Sequence, residues 1–443
     1  MKLFQKNVDF IYRRHEKSAI LNKNGGAVMK KFLVAVSLLL LCAIAVNMTG
    51  CATVKAVDLM EGITPREVSI PDNIGGSSAD VTDFAVRLFK AANENGENTL
   101  ISPLSVMCAL AMTVNGAKGE TREQMEAALG MSAEELNFYL CSYVNNLPQG
   151  DKYKLKLANS IWLRDDERFT VNRDFLQTNA DFYGADIYKT PFDKQTVRDI
   201  NNWVKDKTDK MIPKVIDSIP ADALMYLINA LAFEAEWANL YEKEQVEKGE
   251  FTLEDGTKQK VELMYATEGK YLQDESATGF IKYYNGYKYA FVALLPNEGV
   301  SVSDYIATLD GESLSALLSG AESATVKTAI PKFETEYGTE MSEVLQSMGM
   351  IDAFDVGDAD FSGIGSSTDG NIYIGSVIHK THIQVGERGT KAGAVTVIEM
   401  KANSAAPPDE IKQVYLDRPF VYMLIDCENN VPFFIGTLMD VNK

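Results

Sequence analysis

Val385-Gly386-Glu387-Arg388-Gly389-Thr390-Lys391-Ala392-Gly393-Ala394-Val395-Thr396-Val397-Ile398-Glu399-Met400-Lys401-Ala402-Asn403 is the stretch on which the reading of this chain turns. In a strand, successive side chains point to opposite faces. On that rule Thr390, Ala392, Ala394, Thr396, Ile398, Met400 and Ala402 share one face. Lys391, Gly393, Val395, Val397, Glu399, Lys401 and Asn403 share the other, which takes every charge between 391 and 403. The uncharged face is small near its start and apolar further on. A surface loop has no reason to keep period two for so long. The segment has the pattern of a strand able to enter a sheet, and its small residues would pass between neighbours without overpacking.

Working outward, Ile372 to Val385 reads as a strand leading into this segment, and Phe420 to Leu424 as one following it. Tyr226 to Phe233, Tyr289 to Leu295 and Val326 to Phe333 are further β-branched or aromatic runs ended by Gly, Pro or Asn. Helical patterns crowd the first third. Asp80-Val81-Thr82-Asp83 offers a cap before Phe84, Val86, Leu88 and Phe89. Ser102-Pro103-Leu104-Ser105 opens a second helix, with Pro in its first turn, running to Thr113. Thr121 to Leu129 and Ile200 to Met211 are amphipathic. Helices first and strands later imply an α+β fold with a large mixed or antiparallel sheet. No internal repeat or composition break divides the chain from Ala79 onward.

The N-terminus reads as an address. Met29-Lys30-Lys31 precedes an apolar run from Phe32 to Val46, of signal-peptide length and short for a membrane span. Asn47-Met48-Thr49-Gly50-Cys51 resembles a bacterial lipobox, which implies lipid attachment at Cys51. Residues 29–50 are thus expected to be a lipoprotein signal and 51–78 a tether to a domain spanning 79–443. Residues 1–28 have no role in that scheme and imply a translation start at Met29. Removing residues 1–50 leaves 35 basic and 60 acidic side chains. So acidic a chain lacks the basic face that nucleic-acid binding needs. The cysteines form no CxxC, and Cys108, Cys141 and Cys427 read as reduced, buried residues.

Catalytic constellations fail one by one. There is no G-x-S-x-G elbow. His379-x-x-His382 suggests a metal pair, but on a strand those positions face opposite ways. Gly116-Ala117-Lys118-Gly119-Glu120-Thr121 lacks phosphate-loop spacing, and Asp352, Asp355, Asp358 and Asp360 lack calcium-loop spacing. No metal or cofactor is expected.

The landmarks also fall into a known order. Asn98-Thr99-Leu100-Ile101-Ser102-Pro103-Leu104-Ser105 and then Gly116-Ala117-Lys118-Gly119-Glu120-Thr121 resemble stretches of the serpins. So do Ile200-Asn201-Asn202-Trp203-Val204 and Leu227-Ile228-Asn229-Ala230 leading to Trp237, which match helix F and the central strand of that family. Ile330-Pro331-Lys332-Phe333, Leu345 to Met350, Ile378-His379-Lys380 and Leu416-Asp417-Arg418-Pro419-Phe420-Val421 follow at family spacing. The match covers about residues 79–441. The resemblance implies the serpin fold, a large mixed sheet with additional sheets, about nine helices and an exposed reactive-centre loop.

It also implies roles. Ser102, Ser105, Asn229 and His379 would form the shutter beneath the sheet. Trp237 would stand at the breach, where Lys332 would pair with Glu387. The hinge would comprise Glu387, Gly389, Thr390, Ala392 and Ala394. Family spacing puts the scissile bond near Asn403-Ser404. The loop is longer than is common, so bonds among Met400, Lys401, Ala402 and Asn403 stay open. Glu234-Ala235 departs from the usual Lys-Gly, Arg388 and Lys391 stand where acidic or neutral residues are usual, and Gly393 replaces a common Ala.

The implied activity is that of a monomeric single-use inhibitor outside the cell, anchored at its surface by lipid. It would trap serine proteases covalently, elastase- or subtilisin-like enzymes before trypsin-like ones. A strand of this length spans roughly 45 Å, and its hydrogen bonds would contribute on the order of 10 kcal/mol, so the unreacted state would be metastable. The alternative is a non-inhibitory serpin acting as a surface binding module.

Overall fold

The computed structural model describes residues 56–71, 77–93, 96–167, 169–220, 223–368, 370–390 and 411–443. These all belong to one compact unit, Val54–Lys443. In chain order the strands are β1 (Val57–Asp58), β2 (Thr99–Ile101), β3 (Tyr153–Arg164), β4 (Phe169–Val171), β5 (Asp186–Thr190) and β6 (Met225–Glu236). There follow β7 (Val246–Thr252), β8 (Lys258–Gln273), β9 (Ala277–Tyr283), β10 (Tyr289–Pro296), β11 (Glu322–Pro331) and β12 (Phe333–Glu340). The last are β13 (Gly365–Ser367), β14 (Ser376–Gly386), β15 (Gly389–Thr390), β16 (Lys412–Tyr415), β17 (Phe420–Asp426) and β18 (Pro432–Leu438). They form a seven-stranded sheet in the order β1-β5-β3-β6-β15-β14-β12, a nine-stranded sheet and a small β4–β13 pair. Nine α-helices are present among the described residues. The expected α+β architecture, with one large mixed sheet, is the architecture found.

Sheet and helices are built for burial on both sides. All but two residues of β6 are buried, as a central strand covered on both faces must be. Beneath the sheet lies α1 (Pro103–Val114). Ser102 caps it by accepting from the Ser105 amide, Pro103 occupies its first turn, and all its residues are buried. A helix apolar all round is one that belongs in a core. Over the other face lies α2 (Lys194–Lys207), whose Ile200, Trp203 and Val204 join Trp162, Tyr226 and Ile228 of the sheet in a second apolar cluster.

Three sequence expectations need correction. The helix assigned a cap at Asp80 starts earlier: it spans Ser78–Ala92, Ser77 caps it, and the Asp80 side chain closes a capping box back onto the Ser77 amide. Val326 to Phe333 is not one strand. The chain leaves the nine-stranded sheet at Pro331 and enters the seven-stranded one at Phe333, so Lys332 sits at the crossing. The stretch 51–78, expected to be a tether, packs on the domain where it is described. Val57 and Asp58 pair antiparallel with Lys189 and Tyr188 of β5. Arg66 grips Asp181 through its amide at 2.7 Å and its guanidinium at 2.6 Å. Poor periodicity concealed this because a two-residue edge strand has no period to show. Cys108 and Cys141 are buried as expected; Cys427 is only half-buried, and all three are free. The proposed start at Met29, the signal segment and Cys51 lie outside the described residues.

Candidate functional site

The seven-stranded sheet is closed along most of its length by direct parallel pairing of β6 with β14, from Tyr226 opposite Ser376 to Leu231 opposite Thr381. In that register His379 faces Asn229. Alternation along β14 turns His379, Thr381, Ile383 and Val385 inward and leaves Lys380, His382 and Gln384 toward the other face. His379 and His382 are accordingly parted: the first is buried, and Nε2 of the second meets Glu334 at 2.9 Å.

Inside, the four residues expected to form the shutter meet. The Ser102 amide donates to His379 Nε2 at 3.0 Å. That bond requires Nε2 to accept, so the ring proton sits on Nδ1, which donates to Asn229 Oδ1 at 2.5 Å. Ser105 Oγ also donates to Asn229 Oδ1, at 3.3 Å. Helix α1 and both strands of the seam are thereby joined through one imidazole. Burial pushes the His379 pKa down to about 3, so the ring stays neutral and keeps this tautomer.

At the upper end the seam parts. Gly389 and Thr390 form β15, antiparallel to β6 on one side, at Glu236 and Ala235, and to β14 on the other, at Gly386 and Val385. Gly389 has φ +147°, and a Cβ there would stand 1.9 Å from the Ala235 carbonyl oxygen. Only glycine can make this approach. Thr390 is buried, and its hydroxyl meets the Tyr284 phenol at 2.5 Å.

The turn that delivers β15 is held from the strand end of β6. Trp237 donates through its amide to Arg388 O at 2.9 Å and through Nε1 to Gly386 O at 2.8 Å. The Tyr241 amide donates to Glu387 O at 3.1 Å. Trp237 stacks on Tyr284, ring centroids 4.4 Å apart. Lys332 pairs with Glu387 at 2.8 Å, as expected, and also with Glu262 at 2.9 Å. Burial is the largest influence and tends to raise the Glu387 pKa, but the hydrogen bond from Lys332, a backbone hydrogen bond and the Lys332 charge together outweigh it and hold the carboxyl below its ordinary range.

Sequence reasoning missed Glu236, Tyr241, Tyr284 and Lys282 and undervalued Arg388. Arg388, noted only as an unusual residue, pairs at 3.0 Å with Glu236, which also holds Lys152 at 2.8 Å. Tyr284 and Lys282 went unremarked. The available signal was a lysine inside the apolar run Phe280-Ile281-Lys282-Tyr283-Tyr284. Ala235, noted as a departure, is the residue opposite Thr390. Of the other expected site residues, Ala392, Ala394, Met400, Lys401, Ala402, Asn403 and Ser404 lie outside the described residues. The chain is described again from Ile411, where β16 pairs parallel with β11.

This fold and this arrangement of strands and hinge define a class of protein. The sequence profile described as "Serpin (serine protease inhibitor)" matches residues 79–441, and the chain belongs to the serpin family, many of whose members inhibit serine proteases. It is similar to the thermophilic serpin tengpin in its native state, with 48% identity and a TM-score of 0.83 over 87% of this chain and 100% of that one. Against tengpin in the latent state the identity is 46% and the TM-score 0.74, over 85% of this chain and 100% of that one. The likeness is thus greater to the native form. Among curated relatives, a leukocyte elastase inhibitor of Xenopus laevis is 30% identical, over 72% of this chain and 88% of its own length. An uncharacterized serpin-like protein of Thermococcus kodakarensis is 28% identical, over 81% and 84%.

Two outcomes follow from this geometry. A His379 pKa near 3 in the fold, against 6.5 unfolded, means that the unfolded chain takes up the proton first as pH falls. Stability is therefore full above about pH 6.5 and declines toward about pH 3, by on the order of 4 kcal/mol. Denaturant titration across that window should show the slope, and His379→Gln should flatten it while lowering stability at neutral pH. Gly389→Ala should cost on the order of 1–3 kcal/mol in the paired geometry and expel β15. Trypsin cleavage after Arg388, followed by mass spectrometry, should then run about tenfold faster than in the parent.

Proposed function

We propose that this chain is a single-use inhibitor of serine proteases that traps its target as an acyl-enzyme by inserting the severed loop between β6 and β14. The observation that carries the reading is β15: the first two residues of the insertion path already stand between those strands, hydrogen-bonded in the orientation a full strand would need. The period-two pattern from Thr390 to Asn403 continues that path, with its uncharged face in register with buried Thr390. The shutter supports the reading too. The seam below β15 is a six-residue parallel ladder joined to one neutral imidazole, and each of its hydrogen bonds is worth only about 1 kcal/mol net.

The loop residues favour elastase- or subtilisin-like targets, since Met400 and Ala402 offer apolar or small side chains. Lys401 would instead suit an acidic specificity pocket. Incubation with elastase, subtilisin and trypsin is expected to yield, with at least one of the first two, a covalent complex that survives boiling in detergent. The cleaved inhibitor should melt at a higher temperature than the intact one. Clean cleavage with full recovery of protease activity, and no thermal gain, would overturn the reading in favour of a non-inhibitory binding module.

The same proposal places the protein outside the cell, held to the membrane by lipid on Cys51. Cells expressing the gene and fed a labelled fatty acid should label this protein, and Cys51→Ala should abolish the label and release the chain to the medium. Equal labelling of the variant would refute the anchor without touching the inhibitory mechanism.

A further inference from the structure

Lys282 is buried to within 2% of its accessible surface, in the interior of the molecule. Placing an ammonium there is costly unless it is paired and coordinated. Its Nζ donates to Glu268 Oε1 at 2.7 Å, itself nearly buried. Its remaining protons face two aromatic rings, Tyr241 with its centroid at 4.4 Å and Trp237 at 5.3 Å. Neither Lys282 nor Glu268 touches the hinge. Both rings under the ammonium, however, belong to the residues that hold the turn: the backbone amides of Tyr241 and Trp237 donate to Glu387 O and Arg388 O, and the Trp237 indole to Gly386 O. The outer face of the Trp237 system is Tyr284, the residue that grips Thr390.

One buried cation therefore lies behind the two residues that hold the hinge turn, Trp237 and Tyr241, and, through the Trp237 stack, behind Tyr284. The Tyr241 hydroxyl has no hydrogen-bond partner, so that ring is fixed by packing and by the cation. A well-packed leucine could fill the volume of Lys282 at lower desolvation cost. What a cation adds is direction: it draws two π faces toward one point and fixes the angle at which their backbones present N–H groups to the hinge.

We infer that Lys282 is a positioning residue for loop insertion, setting through Trp237 and Tyr241 how firmly Gly389 and Thr390 are held at the top of the seam. The inference rests on the inhibitory reading for its purpose, but its structural content is separate. With the ammonium present the hinge is held at two inserted residues. Without it the aromatic pair loosens, the turn at Gly386–Arg388 frays, and the stop that keeps the loop from advancing or withdrawing is weakened.

The test is hydrogen exchange of the segment containing Gly389 and Thr390, read by mass spectrometry on intact protein. Lys282→Met alone would strand a buried carboxylate, so the informative variant is Lys282→Met with Glu268→Leu, which removes both charges and keeps the bulk. Exchange at the hinge is expected to rise about tenfold, the worth of a desolvated cation–π contact, while exchange in β17 stays unchanged. Lys282→Arg should restore parental exchange, because the guanidinium can both stack and pair. Tyr241→Leu gives a second route if the double variant fails to fold: it leaves the ion pair intact, and the same rise is expected. Parental exchange rates in either folded variant would overturn the inference. The two proposals fail separately: a parent that traps no protease, yet has a hinge that loosens in the variant, refutes inhibition and leaves Lys282 in its role.

Discussion

The direct pairing of β6 with β14 is the constraint on which the rest of the molecule depends. β6 is buried on both faces and β14 on its inner face, and among the described residues Gly389 and Thr390 lie between them. Below that point the seam is closed by parallel ladder bonds and by the His379 cluster. Above it, the same two strands are spread by Gly389 and Thr390. The sheet thus passes from six partners to seven along its own length, and the transition lies between Thr381 and Val385 of β14.

What keeps this boundary in place is a balance between two clusters of opposite chemistry. The shutter is neutral: the uncharged imidazole bonds the Ser102 backbone amide and Asn229, Asn229 in turn accepts from Ser105, and the cluster resists separation through ordinary hydrogen bonds. The breach is charged and aromatic. Lys332, Glu387, Glu262, Arg388, Glu236 and Lys152 form ion pairs around it, and Lys282 with Glu268 lies beneath the Trp237–Tyr284 stack. Strong, directional contacts hold the chain where it turns into the seam, while weak ones close the seam below. That division suits a sheet that should part from the top downward.

How much of this was legible in the chain differs by the range of the interaction. Local signals carried well: Pro103 after Ser102, the apolar run of β6 and the alternation of β14 each specify their element from neighbouring residues. The shutter residues are far apart, His379 lying 277 positions from Ser102, so chemistry and spacing alone could not have joined them; the family resemblance did. The Lys332–Glu387 pair was foreseen in the same way. Glu236, Tyr284, Tyr241 and Lys282 were not: only the lysine set in the apolar run Phe280–Tyr284 marks any of them in the chain, and it does not say what the lysine meets. A buried lysine looks like any lysine until its strand is known to be interior. Likewise, no periodicity shows that two residues of a presumed tether pair with β5. The division of Val326 to Phe333 between two sheets has the same origin: Pro331 and Lys332 read locally as one extended run, and only the pairing partners tell the halves apart.

The direction of β15 bears on why a completed strand would be favoured. The β6–β14 seam is parallel, the slightly weaker of the two ladder types per residue. Gly389 and Thr390 run antiparallel to both neighbours. A chain continuing on their path would replace one parallel seam by two antiparallel ones. It would add a ladder where none existed and improve the geometry of the one it displaced. The cost falls on the shutter, where His379 and Asn229 would no longer face each other across a single seam. With roughly 1 kcal/mol for each net hydrogen bond gained, a few bonds lost below are outweighed by a dozen residues newly paired. On the inhibitory reading proposed above, the parallel seam would be a poor resting place for this sheet, and cutting the chain between β15 and β16 would free it to leave that state.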